Sequence, residues 1–294
     1  MRKYRIVIML GLLLSAVPAA RAQGSVPSGD PQAVFLGFLA KEVEGTSTLF
    51  FLDGRLWTCN DHGQLRLYAL DTLTGPVDST VDLGVKVYDL EEVTQNDSCL
   101  YFGDFGDNRG VRKDLRILRL AKEDFRQGRY RFDTIAFSYP DRASGTLARN
   151  FDCEAFVVLG DSLYLFTKQW VSQGSTIYVL PATPGSYKAR RSTTLDTRGL
   201  VTGACYLGDS RHLVLLGYTL ILYPFVYIVD DFEGWHMGNG RRVQLDIPLG
   251  TQAEGIASSD GRNFFLTNET FQKLFFESKA ALQKTDLGGY LRSR

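Results

Sequence analysis

A β-hairpin pattern recurs five times along the chain, and this repetition restricts the possible folds more than any other feature. Its clearest copy, NFDCEAFVVLGDSLYLFTKQW, runs from Asn150 to Trp170. In this copy Glu154 opens an apolar run, which meets a Gly-Asp pair and reverses into a second apolar run. Apolar, β-branched and aromatic residues suit buried strands, and a Gly-Asp pair suits the tight turn between them. The segment therefore predicts two antiparallel strands.

Four other segments align with this copy on the turn and on the aromatic or aliphatic pair that follows it. The opening residues of the five copies lie 44, 63, 48 and 52 residues apart. In chain order they are Ser47, Glu91, Glu154, Thr202 and Glu254. Repeats of this length with several strands each are typical of a β-propeller, because each small sheet can bury both faces only against neighbouring sheets.

The strand count per repeat predicts how the ring closes. Each of the first four hairpins is followed by two more strand-like runs, whereas the fifth is followed only by QKLFFESKAAL and a polar tail. The run AVFLGFL at 33–39 precedes the first opening residue, so we expect it to complete the last repeat and remove an unpaired edge. The sequence thus predicts an all-β fold, a five-bladed β-propeller closed by an N-terminal outer strand. A six-bladed ring is the alternative, but LAKEDFRQGRYRFD in the longest interval suggests a long hairpin tip rather than a hidden repeat.

The two ends of the chain differ in composition from the repeats. Residues 1–22 have a basic start, a short apolar run and an Ala-Arg-Ala end, which are the features of a cleaved secretory signal. The apolar run is too short to span a bilayer. Residues 23–32 predict a flexible lead-in, and 33–294 a single propeller domain. We therefore expect a secreted or periplasmic protein, cleaved near Ala22, without a membrane span.

Charge and cysteine content restrict the possible partners. Without the predicted signal, 29 basic residues remain against 33 acidic ones, which gives a net charge near −4. A mildly acidic chain without a basic run is a poor nucleic-acid binder. We expect a monomer that meets a small anionic substrate or an extracellular protein or glycan. The cysteines are too few and scattered for a disulfide scaffold, so buried strand thiols are expected at Cys59, Cys99, Cys153 and Cys205.

The opening residues are candidate metal ligands. The innermost strands of a propeller begin beside the central channel, so these five residues should form a ring at one mouth. Three carboxylates and two hydroxyls at close quarters favour protonation or a bound cation, and an all-oxygen set suits Ca²⁺. The predicted ligands are Ser47, Glu91, Glu154, Thr202 and Glu254. Alternatively, a glutamate at a strand start only accepts backbone hydrogen bonds, but recurrence at one register argues against that interpretation.

The ends of the second strands should surround this ring, because those strands return to the same mouth. We predict catalytic roles for Asp61, Lys168 and Glu269. Predicted ligand-binding residues are Asn60, Asp104, Asp107, Asn108, Tyr218 and Asn268, and Thr167 lies at a further strand end. Two alternatives apply: Lys168 can equally form an ion pair with a ring glutamate, and DFGDNRG at 104–110 favours an Asx-stabilised turn over a calcium loop. His62 is available as an acid or base, although a solvated loop histidine is the more common case.

Several segments resemble known propellers. YFGDFGDN, EAFVVLGDSLYLFTK, GLVTGA and QAEGIA resemble a group of secreted bacterial propeller proteins with no assigned activity. The ring order Ser, Glu, Glu, Thr, Glu also resembles the calcium-activated nucleotidases of the apyrase type, which implies a central Ca²⁺ at those five positions. Thr202 stands where that family has a serine. The substrate loops of that family have no convincing match in this sequence. The six-bladed lactonase-like calcium propellers are a looser resemblance.

Two classes of function remain. One is a Ca²⁺-dependent hydrolase acting on a phosphoester, a phosphoanhydride or a lactone. The other is a non-catalytic extracytoplasmic propeller that keeps a structural ion and binds a protein or glycan. Propellers serve both roles, so the fold does not choose between them. An enzyme should have a concave mouth lined by Lys168, Asp61 and Asn268, whereas loops should cover the ion in a scaffold.

Overall fold

The chain folds into five small, mainly antiparallel sheets that are arranged as the blades of a β-propeller. A computed structural model describes residues 29–230, 232, 240–245, 252–273 and 276–292. The predicted signal and residues 23–28 of the predicted lead-in lie outside the described residues. Among the described residues, no helix has the length and hydropathy needed to cross a membrane.

The strands are numbered in chain order. The described part of the chain has β1 (Ala33–Phe38) and a 3₁₀ helix, Lys41–Val43, ahead of the first blade. Blade 1 consists of β2 (Phe50–Leu52), β3 (Arg55–Thr58), β4 (Gly63–Leu70) and β5 (Val77–Val87). Blade 2 consists of β6 (Leu90–Gln95), β7 (Cys99–Asp104), β8 (Arg116–Ala121), the short helix α1 (Lys122–Arg126) and β9 (Phe132–Ser138).

The remaining blades follow the same order. After a 3₁₀ helix, Gly145–Phe151, blade 3 consists of β10 (Asp152–Leu159), β11 (Ser162–Lys168), β12 (Ser175–Pro181), the short β13 (Gly185–Lys188) and β14 (Arg190–Leu195). Blade 4 consists of β15 (Leu200–Leu207), β16 (His212–Tyr218), β17 (Pro224–Val229) and β18 (Arg241–Gln244). Blade 5 follows with β19 (Ala253–Ala257), β20 (Asn263–Asn268), the hairpin β21 (Phe271–Lys273) and β22 (Phe276–Ser278), β23 (Ala281–Asp286) and a 3₁₀ helix, Gly288–Tyr290.

The N-terminal strand closes the ring, as the sequence predicts. Strand β1 pairs antiparallel with β23, from Ala33 opposite Thr285 to Phe38 opposite Ala281. It is therefore the outermost strand of blade 5, and the five-bladed prediction is confirmed over the six-bladed alternative. A Cβ atom on Gly37 would lie 1.9 Å from the carbonyl oxygen of Thr74 in blade 1. Glycine at this position thus lets the closing strand approach the neighbouring blade.

Two details of the outer strands differ from the sequence prediction. In blade 5 the expected third strand, QKLFFESKAAL, forms the extra hairpin β21–β22, and the third strand is β23 instead. Strand β23 begins at the end of that segment and continues into the apparently polar tail, where the side chains of Gln283 and Thr285 are buried although they are polar. In addition, β13 leaves blade 3 to pair in parallel with β9 and covers the outer edge of blade 2.

In the described part of the chain, the core consists of five apolar clusters, one between each pair of neighbouring blades. Strand β7 shows how one strand supplies two of them. Phe102 packs toward blade 1, and its neighbour Tyr101 packs toward blade 3. Burying a side chain of this size stabilises the fold by about 1.5–3 kcal/mol. Because a slip by one residue would exchange the two faces, packing fixes the strand register that positions the channel mouth.

All four cysteines are free, which agrees with the expectation of strand thiols. Cys59, Cys99 and Cys153 are buried, and Cys205 is partly buried. Burial raises the pKa of the Cys153 thiol well above its usual range. These thiols therefore pack as small apolar side chains.

A candidate cation site at the channel mouth

The opening residues share a backbone irregularity that the sequence does not reveal. In blade 2, Leu90 pairs with Asp104 but Glu92 pairs with Gly103, so Glu91 has no partner in the ladder. The ladder skips the opening residue in the same way at Glu154, Thr202 and Glu254. Blade 1 shows the same one-residue excess around Ser47. A β-bulge turns a side chain away from the direction that regular pleating would give it. This geometry gives a physical reason why the opening residue lies at the same position in each repeat.

Four of the five opening residues line one small cavity at the channel mouth. Its volume is about 160 Å³, and its lining includes Ser47, Glu91, Glu154 and Glu254. Thr202 does not line it, and its hydroxyl donates a 2.6 Å hydrogen bond to the carbonyl oxygen of Ala253. At about 30 Å³ for each water molecule, the cavity has room for an ion with a few waters or for one small chemical group.

Lys168 is the basic residue in the cavity lining. Its Nζ lies 3.1 Å from Glu154 Oε1, and the two side chains are 4% and 3% exposed. The ammonium also lies 4.8 Å from the ring centroid of Trp170 and 5.4 Å from that of Tyr218. Burial disfavours the charged ammonium, but the combined attraction of Glu154 and the neighbouring acidic groups outweighs it and raises the pKa of Lys168 well above its usual value. Lys168 is therefore a fixed positive charge inside the mouth.

The acidic groups outnumber this single lysine. Six carboxyl groups line the cavity: Asp61, Asp89, Glu91, Glu154, Glu254 and Glu269. Burial raises the pKa of Glu254 to about 8, and burial together with repulsion from Asp152 raises that of Asp89 to about 6. Burial raises the pKa of Glu154 to about 7, although Lys168 opposes the shift. Several of these groups thus retain a proton near neutral pH unless a cation enters.

A second polar register lies two residues before the opening residues. Asp89 precedes Glu91 at this spacing, and Gln252 precedes Glu254; both line the cavity. The sequence interpretation missed them because it aligned only the opening residues. The recurrence of a polar residue at the same two-residue offset was nevertheless a usable sequence signal.

Asp152 occupies the same register in blade 3, two residues before Glu154. It is fully buried and accepts hydrogen bonds from the Asp107 N–H at 2.6 Å and from Trp170 Nε1 at 2.8 Å. Its carboxylate thereby holds the indole against the Lys168 ammonium. This supporting residue was also missed.

The predicted strand-end residues divide into two groups. Asp61, Asn108, Lys168 and Glu269 line the cavity, while Asn60 lines an adjoining cleft and Tyr218 contacts Lys168. The side chains of Thr167 and Asn268 bond within the fold: Thr167 Oγ1 accepts the Thr176 N–H, and the Asn268 amide donates to the carbonyl oxygens of Glu269 and Lys279. The structure therefore does not bring Asn268 into the concave mouth.

The DFGDNRG loop uses its two aspartates internally. Asp104 Oδ1 accepts the backbone N–H groups of Tyr88 and Asp89 at 3.1 Å, and its Oδ2 lies 2.8 Å from Arg116 Nε. Asp107 Oδ1 accepts the N–H groups of Val111 and Arg112. The Asp107 bonds reach four and five positions further along the chain and brace the loop, whereas the Asp104 bonds join it to the segment before β6 and to β8; neither set has the two-residue spacing of an Asx turn. Glycine in this loop also leaves room for the opening residue of blade 2, because a Cβ on Gly106 would lie 2.0 Å from Glu91 Oε1.

An open cleft adjoins the cavity and shares Asp61 and Glu269 with it. The cleft has a volume of about 430 Å³ and includes Lys41, Asn60 and His62 in its lining. His62 Nδ1 lies 2.5 Å from Asp61 Oδ1, and the imidazole is 75% exposed. With Nδ1–H donating to the carboxylate, Nε2 remains available to accept a proton at the cleft.

Glu92 crosses the channel beneath the mouth. Its Oε1 accepts hydrogen bonds from the Thr48 hydroxyl and the Val93 N–H, and its Oε2 accepts the Ala204 N–H of blade 4 at 2.9 Å. The side chain is fully buried, and burial raises its pKa to about 8. Glu92 thus separates the acidic cavity from a cavity of about 200 Å³ at the other end of the channel.

No protein-family model and no curated protein sequence matches the chain. Similar solved structures include an exo-β-1,3-galactanase from Phanerochaete chrysosporium, with a TM-score of 0.52 and 10% identity over 90% of this chain and 66% of that one. They also include an α-L-arabinofuranosidase from Podospora anserina, with a TM-score of 0.50 and 12% identity over 87% of this chain and 96% of that one. At such low identity these similarities show the propeller fold alone.

Proposed function

We propose that this chain is an extracytoplasmic β-propeller that binds Ca²⁺ at the channel mouth. The main support for this proposal is the charge imbalance of the cavity, where six carboxyl groups and one ammonium form the charged part of the lining. Burying unpaired carboxylates is costly, so a divalent cation would be strongly attracted there. The proposed extracytoplasmic location rests on the signal predicted at residues 1–22.

The chemistry of the donor atoms fits this ion. Ser47 Oγ is buried in the cavity lining, with no hydrogen-bond partner among the described residues. Carboxylate and hydroxyl oxygens suit a hard cation, and Ca²⁺ tolerates irregular coordination better than Mg²⁺. Within the described ranges, no three acidic, histidine or cysteine side chains already stand at metal-ligand spacing. Binding therefore requires carboxylates such as Glu91 and Glu254 to turn toward the ion.

We further propose that the adjoining cleft hydrolyses a small ester, anhydride or lactone. Bound Ca²⁺ would polarise the substrate and offset the negative charge of the mouth. His62, oriented by Asp61, would take a proton from water through Nε2 as the water oxygen attacks phosphorus or the carbonyl carbon. The bond to the leaving oxygen then breaks, and the same proton returns to that oxygen. Lys168 and Glu269 line the cavity beside this reaction and would hold the substrate.

A second candidate is a non-catalytic binding role for the same face. Loops of blades 3 and 4 at this mouth expose apolar side chains: Val171 is 42% exposed, Leu220 53%, Ile221 69% and Tyr223 44%. Exposed apolar groups of this kind are frequent where a protein or glycan binds. In this case the ion would stabilise the fold without acting on a substrate.

Calorimetric titration with Ca²⁺ tests the binding proposal. The double variant Glu91→Gln and Glu254→Gln keeps side-chain size but removes two charges, so we expect at least a tenfold loss of affinity, or about 1.4 kcal/mol. Glu277→Gln, on the exposed hairpin of blade 5, is the matched control and should bind as the wild type does. Equal affinity in all three proteins would place the ion elsewhere.

Hydrolysis is tested with nucleoside di- and triphosphates, simple phosphoesters and lactones, each with Ca²⁺ and with chelator. Activity should require Ca²⁺ and fall about 100-fold or more in Asp61→Asn or His62→Ala, the scale expected for one proton-transfer group. Tight Ca²⁺ binding without turnover of any substrate class would favour the non-catalytic candidate.

A further inference from the structure

The outer edge of blade 5 differs from the edges of the other blades. Strand β1 exposes three apolar side chains within five residues: Val34 is 60% exposed, Phe35 54% and Phe38 61%. The rings of Phe35 and Phe38 stack edge to face, 4.9 Å apart, so they form one apolar surface. Leu73 of blade 1, 77% exposed, lies next to Thr74, whose carbonyl contacts Gly37 of this strand.

The other edges show why this one is unusual. Outer strand β5 places Asp78, Thr80 and Asp82 in solvent, β14 begins with two exposed arginines, and β18 has the sequence RRVQ. Strand β9 is covered by β13. Charged residues and covering strands are the usual ways in which an edge avoids pairing with another chain. Among the described residues, β1 has no charged residue of its own and no strand covers its outer edge, although Lys279 Nζ lies 5.9 Å from the ring centroid of Phe38.

We propose that β1 packs side by side and antiparallel against β1 of a second copy of this chain, forming a two-fold dimer. Charge complementarity favours a second copy over an unrelated partner. Asp30 and Lys41 flank the strand, and both are exposed. In antiparallel pairing centred between Phe35 and Leu36, Asp30 of one copy faces Lys41 of the other, since 30 + 41 equals 35 + 36. A two-fold interface makes each such contact twice.

Side chains contribute more than the backbone in this dimer. The ladder between β1 and β23 slips between Phe35 and Gly37, so β1 is irregular at Leu36 and offers only short stretches for backbone pairing. Val34, Phe35 and Phe38 would each become buried against the partner copy. The inner face of the strand is already occupied, because Leu36 and Leu39 pack against the cluster between blades 5 and 1. The dimer therefore requires no rearrangement of the propeller.

Light scattering after size exclusion, with sedimentation velocity from about 1 to about 100 μM, tests the proposal across the range where a micromolar Kd is measurable. The wild type should have twice the mass of the chain at the higher concentrations. Phe35→Lys should remain monomeric with an unchanged melting temperature. Thr80→Lys adds the same charge to the polar edge of blade 1 and should dimerise like the wild type. A monomeric wild type would overturn the proposal, because the edge would then be free or would bind a different protein. A dimeric Phe35→Lys variant would overturn it as well.

Hydrogen exchange on the wild type decides the matter if Phe35→Lys fails to fold. Amide exchange between Ala33 and Phe38 should slow as the protein concentration rises, while the amides of β5 and β14 should not change. Exchange in β1 that is independent of concentration would overturn the proposal.

Discussion

Lys168 Nζ and Glu154 Oε1 lie 3.1 Å apart inside the channel mouth, with both side chains almost fully buried. The pair joins the end of the second strand of blade 3 to the start of its first strand. It accounts for one of the six acidic groups that line the cavity and leaves five without a basic partner in the lining. The mouth therefore contains one buried ion pair and an excess of acidic groups, and the proposed Ca²⁺ site rests on this excess.

Lys168→Met should destabilise the protein more above neutral pH than below it. Breaking a buried pair leaves an uncompensated charge and costs about 3–5 kcal/mol. The pKa of Glu154 is already about 7, so this carboxyl can take up a proton at about pH 5 and escape most of the cost. Urea denaturation at about pH 5 and about pH 8 measures the difference.

Lys86→Met, on an exposed position of β5, is the control and should have little effect at either pH. An equal cost of Lys168→Met at both pH values would contradict the role assigned to Glu154.

In chelator, the stability of the wild type should fall as pH rises from about 5 to about 8. The folded-state pKa of Glu254 is about 8, well above its unfolded value of 4.5. Between those values the unfolded chain has lost the proton that the folded chain keeps, so each rise in pH favours unfolding, and the loss levels off above the folded pKa. The raised pKa of Asp89, about 6, acts in the same direction.

Glu254→Gln should flatten this profile, and the urea midpoint measured across the same range is the readout. A midpoint that stays level with pH in the wild type would show that the pKa values of these carboxyls are not raised by folding, and one that rises with pH would show that folding lowers carboxyl pKa values.

Sequence periodicity was sufficient to predict the blades because each repeat contains its own hairpin signal. The closing role of β1 also followed from counting strands. The β-bulge at Glu91 could not be predicted, because it depends on how two strands pair rather than on which residues they contain. The sequence did indicate that the opening position recurs, but it gave no reason for this.

Local hydrogen bonds explain where the site prediction and the structure differ. Asp104 and Asn268 have the expected strand-end positions, but Arg116 and backbone groups engage their side chains. Conversely, Trp170 lines the cavity because buried Asp152 holds its indole. Such second-layer contacts join residues that are distant in sequence, so strand-end counting does not find them.

Ca²⁺ binding should release protons, and its affinity should rise with pH. The ion requires ionised carboxylates, whereas burial raises the pKa of Glu91 well above its usual range and that of Glu254 to about 8. Metal binding to protonated ligands displaces those protons. Calorimetry in two buffers with different ionisation enthalpies counts the protons at each pH, and we expect more release at about pH 6 than at about pH 9.

Thermal melts give a second readout of the same linkage. At a Ca²⁺ concentration 100-fold above its Kd, the ion should add about 2.7 kcal/mol of stability. Binding without any proton release at about pH 6 would mean that the ion does not use these buried carboxyls.

Gly37→Ala should destabilise the closure of the propeller ring by β1. The added Cβ would lie 1.9 Å from the Thr74 carbonyl oxygen and 2.9 Å from its carbonyl carbon, and a backbone group cannot move aside as a flexible side chain can. The closing strand must therefore shift away from blade 1, at the cost of about 1–3 kcal/mol typical of overpacking. Since about 1 kcal/mol corresponds to about 2–4 °C in a domain of this size, the melting temperature should fall by several degrees. Gly29→Ala is the matched control, because its Cβ would have no heavy atom within 4 Å. Deleting residues 31–40 removes the strand entirely and should lower the melting temperature further. A Gly37→Ala protein as stable as Gly29→Ala would show that β1 does not hold the last blade against the first.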